Sequence, residues 1–110
     1  MAFYMYTGNY TAQAVQALIK QPQDRSSAAQ KIVEAAGGTL HHAFGAFGAF
    51  DVMILCELPD DVNVAAVSLA VGAAGGVTNG RTTKLLTMPE FRAALEKAGT
   101  ISGTYSPPQG

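Results

Sequence analysis

The spacing of apolar residues divides the chain into short strands and amphipathic helices. Short runs rich in aromatic and β-branched residues, ended by Gly, Pro or Asn, predict strands over residues 3–7, 39–45, 50–58 and part of 77–88. Apolar residues three and four apart predict helices from Thr11 to Pro22 and over 24–36, 60–74 and 90–98. The elements therefore follow the order strand, helix, strand, strand, helix, strand, with the first helix in two parts and a short helix at the end.

This order indicates a ferredoxin-like fold of the α+β class, with a βαββαβ arrangement and a four-stranded antiparallel sheet. In the third strand Val52, Ile54 and Cys56 point to one face and Met53 and Leu55 to the other, so both faces of the sheet are apolar. Both crossover helices pack on one side, which leaves an apolar second face. We therefore expect the chain to pair sheet to sheet with a copy of itself, as a homodimer or a higher even oligomer.

Composition supports an oligomer and excludes two classes of partner. Of the 110 residues 48% are apolar and only 14% are charged, whereas about a quarter is usual. The net charge is −1 and no basic cluster interleaves with aromatic residues, so no nucleic acid is expected. The longest apolar run, residues 52–56, is too short to span a membrane. A single cysteine and the lack of a signal-peptide pattern predict the cytoplasm.

The length is typical of one domain, which we assign to residues 1–98. Residues 99–110 are rich in Gly, Ser and Pro and show no apolar periodicity. This segment is predicted to be a tail, either a docking arm or disordered.

Several stretches of the sequence resemble the GYD domain of bacterial proteins. Residues 48–51 read Gly-Ala-Phe-Asp and precede an apolar strand and Pro-Asp-Asp at 59–61, where the family motif reads Gly, any residue, Tyr, Asp. The segments that are similar to the same family are 10–11, 21–25 and 81–86. The resemblance implies a ferredoxin-like dimeric α/β barrel and implies no established activity. Phe50 stands where the family usually has tyrosine, so no role that needs a hydroxyl group carries over to it.

Two adjacent histidines are the first candidates for chemistry. Because neighbouring strand residues point to opposite faces, His41 and His42 are not expected to share a metal ion. If paired residues of the hairpin sum to about 95, His42 lies diagonal to Asp51 and Leu55, and His41 lies opposite Ile54. His42 and Asp51 are then candidate catalytic partners, the carboxylate orienting the imidazole. The alternative is that Asp51 caps the turn and a histidine is simply hydrogen-bonded.

Other side chains are candidates for binding a small ligand. Tyr4 and Tyr6 lie on one face of the first strand, where their hydroxyl groups could orient a ligand between sheet and helices, although such a pair is also typical of a core. Phe44 allows the same two interpretations. The candidates that could reach an anionic ligand at a cleft mouth are Arg25, Arg81 and Lys84, each equally typical of a solvated charge or of a partner in an ion pair.

These observations leave two classes of function open. One is a homo-oligomer that binds a small molecule in a cleft between sheet and helices, or whose role is assembly itself. The other is a small cofactor-independent enzyme of the isomerase or monooxygenase type, in which His42 and Asp51 act; this class rests on analogy with related folds. A histidine close to a carboxylate in the cleft would favour the enzyme, and an apolar cleft would favour binding. No cofactor and no metal site is predicted.

Overall fold

The computed structural model describes residues 1–109, so Gly110, the last residue of the predicted tail, lies outside it. The strands are β1 Ala2–Tyr10, β2 Thr39–Gly45, β3 Val52–Leu58 and β4 Val77–Leu85. The helices are α1 Ala12–Lys20, α2 Ser26–Ala35, α3 Asp61–Ala73 and α4 Met88–Ile101, followed by a 3₁₀ turn at Ser102–Thr104. The order of elements agrees with the sequence prediction.

The four strands form one antiparallel sheet in the order β2-β3-β1-β4. The strands of the βαββαβ unit therefore meet as in the ferredoxin-like fold, with β1 and β3 at the centre. Tyr4 of β1 lies opposite Cys56 of β3 and Lys84 of β4, which fixes the register of the three strands. The predicted α+β ferredoxin-like fold is confirmed.

Helices cover one face of this sheet, which we call the helix face. Its largest fully buried side chains come from β1, β3 and α2, and they are Tyr4, Leu58, Val33 and Cys56. Val64 and Val67 bring α3 into the same core. Alternation along the strands places a second set of residues on the other side of the sheet, which we call the open face. Its central apolar residues are Phe3, Met5, Met53 and Leu55, all half-buried.

A β-bulge interrupts the pairing of β1 with β4. The register shifts between Thr7 and Asn9, and Asn79 takes a left-handed backbone conformation with φ 53°. A side chain at Gly80 would bring its Cβ within 2.5 Å of the Tyr6 hydroxyl, so this position requires glycine. Beyond the bulge the two strands pair again, with Asn9 opposite Thr78 and Tyr10 opposite Val77. The strand β1 therefore continues to Tyr10 instead of ending at residue 7 as predicted.

A second irregularity corrects the prediction for the two histidines. The pairing of β2 with β3 shifts between Leu40, opposite Cys56, and His42, opposite Leu55. The extra residue is His41, and the flanking Leu40 and Ala43 both pack against the core. Both imidazoles therefore lie on the open face, and the expectation of opposite faces is wrong. The predicted register is also wrong: paired residues sum to 97 between the turn and the bulge and to 96 beyond the bulge, instead of about 95, so the difference begins at the turn.

The last helix is longer than predicted. Gly99 does not end it, and α4 continues to Ile101, into the segment predicted as a tail. A capping box between Thr87 and Glu90 begins the helix, with Pro89 in its first turn. Every residue of α4 is solvent-exposed.

None of the helices over residues 1–109 has the length and apolarity needed to cross a membrane.

Candidate functional site

Two neighbouring cavities share Tyr10, Gln23 and Arg25, and the one of about 500 Å³ also includes Asp24 and Phe44 in its lining. The other lies between the sheet and the three helices α1, α2 and α3, and its volume of about 450 Å³ is in the range of small-molecule sites. We call it the sheet–helix cleft. Its walls are Tyr6, Tyr10, Val52, Ile54 and Val77 from the sheet, Ala14, Ala17, Leu18, Ala28, Ala29 and Ile32 from α1 and α2, Val67, Ala70, Val71, Ala74 and Gly76 from the α3 segment, and Gln23 and Arg25 from the connecting loop.

The cleft exists because the helices present small side chains to it. Six of its lining residues are alanines, two from each of the α1, α2 and α3 segments. Protein interiors are normally close-packed, and larger residues at these positions would fill the space. Individual alanines such as Ala28 and Ala74 fit the helical periodicity of the sequence. Their meeting around one space depends on the tertiary packing, so the sequence predicted a cleft between sheet and helices but not the alanines that line it.

Four polar side chains interrupt the apolar lining of the cleft. The hydroxyl groups of Tyr6 and Tyr10 come from the sheet, and Gln23 and Arg25 come from the loop between α1 and α2. Arg25 donates from Nη1 to Oε1 of Gln23 over 3.0 Å. Among the ion pairs of residues 1–109, none includes Arg25. The cleft therefore combines apolar walls with a cationic group at its loop.

Tyr6 and Tyr4 have different surroundings although both point to the helix face, as predicted. Tyr6 lines the cleft, and burial raises the pKa of its phenol, so the hydroxyl stays protonated at neutral pH. Tyr4 is 1% exposed and lies in the core instead. Its hydroxyl donates to Oδ1 of Asp61 over 2.6 Å, and Lys84 Nζ donates to the same oxygen over 3.1 Å.

This three-residue contact joins β1, the start of α3 and β4. The hydrogen bond to the Asp61 carboxylate, reinforced by burial, raises the pKa of Tyr4 to about 12. The same bond, together with Lys84, lowers the pKa of Asp61. The contact stabilises the packing of α3 on the sheet, so the position of Tyr4 is that of a structural residue.

The predicted pair of His42 and Asp51 is not joined by a hydrogen bond within residues 1–109. The Asp51 carboxylate accepts from the backbone N–H of Tyr10 at 2.9 Å and from Nδ2 of Asn9 at 3.3 Å, which fastens the β2–β3 turn to the end of β1. His42 lies on the open face and stacks on Phe44, with 6.0 Å between ring centroids. Neither residue lines the sheet–helix cleft.

The open face brings the other candidates together. His41 Nε2 lies 2.8 Å from Oε1 of Glu57, and the His41 ring lies 5.6 Å from the ring of Phe3. Arg81 of β4 lies opposite Thr7 of β1. The next residue, Thr82, contacts Ser68 of α3 through its hydroxyl and so points to the helices. Because neighbouring strand residues point to opposite faces, Arg81 points away from the helices. The predicted site residues thus divide between the two faces of the sheet. The sequence did not predict the contact between His41 and Glu57, because it depends on the bulge.

Metal-binding residues do not cluster in the part of the chain that the structure describes. Residues 1–109 contain no group of three or more His, Cys, Asp or Glu side chains placed to hold a metal ion. Cys56 is buried, and burial raises the pKa of its thiol, which is the state of an apolar core residue rather than a nucleophile.

The sheet order and the single helical layer define a ferredoxin-like α+β domain with a cleft between the sheet and the helices. The family model for the GYD domain matches residues 4–95 of the 110, and the chain belongs to this family. No curated protein matches the chain. The family match therefore agrees with the resemblance in the sequence, and the site itself must supply the argument for function.

Proposed function

We propose that the chain is a homodimeric binding protein that takes an apolar small molecule into the sheet–helix cleft of each protomer. The observation that carries the proposal is the lining of the cleft. Alanines from three helices keep about 450 Å³ open, and the described lining includes no histidine and no carboxylate. Apolar walls with a few polar groups are typical of small-molecule sites, and a lining without histidine or carboxylate offers no such group for acid–base catalysis.

The polar groups of the cleft favour a ligand with one acidic or strongly polar end. Arg25 is the charged residue in the lining, and the hydroxyl groups of Tyr6 and Tyr10 remain hydrogen-bond donors. A guanidinium group binds a carboxylate in a bidentate manner, with better geometry than a lysine would give. An apolar acid would place its chain among the alanines and its carboxylate at Arg25.

The dimer follows from the composition of the open face. Phe3, Met5, Met53 and Leu55 form a continuous apolar strip across its central strands, and Leu85 extends it onto β4. A second sheet about 10 Å away would remove this strip from water. The low charged fraction of 14% supports the same conclusion. The single buried cysteine favours a reducing compartment, and we place the protein in the bacterial cytoplasm.

The alternative enzymatic function has less support. A catalytic pair of His42 and Asp51 requires the carboxylate to orient the imidazole, and Asp51 is already hydrogen-bonded to Tyr10 and Asn9. The contact of His41 with Glu57 lies on the open face, where a paired sheet would enclose it. A substrate would have no access to either histidine in such a dimer.

Native mass spectrometry of gently purified protein tests both parts of the proposal. A dimer that carries one additional organic mass per protomer is the expected result. A monomer would contradict the sheet pairing. A dimer without any additional mass leads to the titration that follows.

Titration with 1-anilinonaphthalene-8-sulfonate, an apolar anion, tests the cleft directly. Ala70→Phe fills part of the cleft, while Ala65→Phe adds the same group to α3 outside the cleft lining. We expect Ala70→Phe to weaken binding at least tenfold and Ala65→Phe to leave it unchanged. Equal affinities for both variants would exclude the cleft as the binding site.

A further inference from the structure

The α4 helix has no apolar surface of its own chain to lie on. All of its residues, Met88–Ile101, are exposed. The radius of gyration of the chain is 17.6 Å, whereas a compact domain of this length has about 13 Å. The helix therefore projects from the domain as an arm.

The arm is amphipathic, which is the pattern of a helix that packs on something. Met88, Phe91, Leu95 and Ala98 follow one another at intervals of three and four residues and form one stripe. Phe91 is 49% exposed and Leu95 is 60% exposed. The opposite side of the helix is polar, with Arg92 bonded to Glu96 over 3.1 Å, followed by Lys97 and Thr100.

Helix capping alone does not explain a stable arm. The capping box of Thr87 and Glu90 satisfies backbone N–H groups of the first turn only, and isolated helices shorter than about 15 residues are marginal in water. Most helical stability in proteins comes from packing of the apolar side. An apolar surface outside this chain must therefore cover the stripe.

The area of the open face indicates which molecule supplies that surface. Four strands of this length give a face of about 20 by 25 Å, or about 500 Å². A stable interface buries about 800 Å² on each partner, so the sheet faces alone fall short. An arm of about 20 Å by 10 Å adds about 200 Å². Because each protomer of a symmetric dimer both gives and receives an arm, exchange raises the buried area to about 900 Å² per protomer.

We propose that α4 is an exchanged arm, which lays the stripe of Phe91 and Leu95 on the second copy of the chain. The inference rests on the dimer proposed above and extends its interface. Only Leu86 and Thr87 separate α4 from β4, and β4 forms one edge of the open face. The arm thus leaves the domain at the edge of the surface that the second copy covers.

The first test compares charge on the two sides of the arm in the full chain. Phe91→Glu with Leu95→Glu places two carboxylates in the stripe, and Ala93→Glu with Thr100→Glu places two on the polar side. Sedimentation velocity over a concentration series measures the dissociation constant of the dimer. We expect the first variant to raise this constant at least tenfold and the second to change it less than twofold.

Equal constants for the two variants would overturn the exchange. Leu55→Glu on the open face separates this failure from a failure of the dimer itself. If Leu55→Glu produces monomers while both arm variants stay dimeric, the sheets pair and the arm takes no part. A monomeric parent chain would overturn both proposals, and an open-ended polymer would overturn reciprocal exchange.

The second test asks which chain the stripe touches. A photoreactive benzophenone amino acid replaces Leu95 in one variant and Ala93 in the control. We expect irradiation of the position-95 variant to give a covalent dimer, visible on a denaturing gel at twice the chain mass of 11.4 kDa. The control should remain monomeric on the same gel. Crosslinks confined to one chain, or no crosslink at position 95, would show that the arm does not reach a second copy.

Discussion

Leu58 and Leu55 lie three residues apart on β3, and they have different surroundings. Leu58 is 0% exposed because α2 and α3 cover the helix face, while Leu55 is half-buried on the open face. In the sequence both belong to β3, in which every residue except Glu57 is apolar, so apolar side chains point to both faces of the sheet. The comparison teaches that a strand with two apolar faces needs two packing partners. The helices of this chain provide the partner for one face only.

Truncation of these two leucines gives the largest expected contrast. Leu58→Ala leaves a cavity in the core and should lower the free energy of unfolding by about 3 kcal/mol. Leu55→Ala removes a side chain that no element of the same chain covers and should cost about 1 kcal/mol or less in the monomer. Urea unfolding followed by circular dichroism, at concentrations where the protein is monomeric, measures both. Equal losses would mean that the open face is packed by its own chain.

A charge at the same position tests the second partner. Leu55→Glu would bury a carboxylate between two sheets, and we expect the dimer dissociation constant to rise about 100-fold, which is about 2.7 kcal/mol. Gln13→Glu on the exposed side of α1 adds the same charge and should leave the constant unchanged. Sedimentation equilibrium measures both variants. A dimer that tolerates Leu55→Glu would show that it is formed through another surface.

The two tyrosines of β1 allow a similar contrast within the helix face. Tyr4→Phe removes the hydrogen bond to Asp61 and should lower the free energy of unfolding by about 1–2 kcal/mol. Tyr6→Phe removes a hydroxyl that has no hydrogen-bond partner among residues 1–109, so the free energy of unfolding of this variant should change little. Thermal unfolding compares the two variants. A loss at Tyr6 as large as that at Tyr4 would contradict the assignment of Tyr4 as the structural residue.

The Tyr4 contact also makes stability depend on alkaline pH. The folded chain holds the pKa of Tyr4 at about 12, above its usual value of about 10. The protonated phenol is the stabilised form, so this contribution is complete below pH 10 and is lost as the pH rises through about 12. Ultraviolet absorbance at 295 nm should show a tyrosine that titrates at about pH 12, and Tyr4→Phe should remove that late step. A late step that persists in the variant would assign it to another tyrosine.

The order of elements could be predicted from the sequence because it follows from local patterns. The helices α2 and α3 are each followed by a Gly-Gly pair, at 37–38 and 75–76. These pairs and the apolar spacing act within a few residues of each other. The alternation of Val52 to Cys56 also predicted correctly which residues face the helices and which do not. These features required no knowledge of distant contacts.

The arrangement of the site depends on contacts between distant residues. The bulge at His41 shifts the register of β2, and no residue type in this stretch marks it. The cleft requires alanines from three helices to meet, and the partners of Asp51 are 41 and 42 positions away. A pattern read along one segment contains none of this information, so the predicted pairing of His42 with Asp51 rested on a register that the folded chain does not adopt.

The smallest expected effect comes from the contact of His41 with Glu57 on the open face and the ion pair of Arg92 with Glu96 on the arm. In the monomer, Glu57→Gln and Glu96→Gln should each lower the free energy of unfolding by about 0.5 kcal/mol or less, since both pairs are accessible to water. In the dimer the two should differ. A second sheet over the open face would exclude water from His41 and Glu57, and a pair without water costs more to break.

We therefore expect Glu57→Gln to raise the dimer dissociation constant about fivefold, which is about 1 kcal/mol, and Glu96→Gln to leave it unchanged because Glu96 lies on the polar side of α4. Sedimentation velocity at low salt measures both variants against the parent chain. An effect at Glu96 and none at Glu57 would reverse the comparison: the polar side of the arm, rather than the open face, would then be in contact with the second copy.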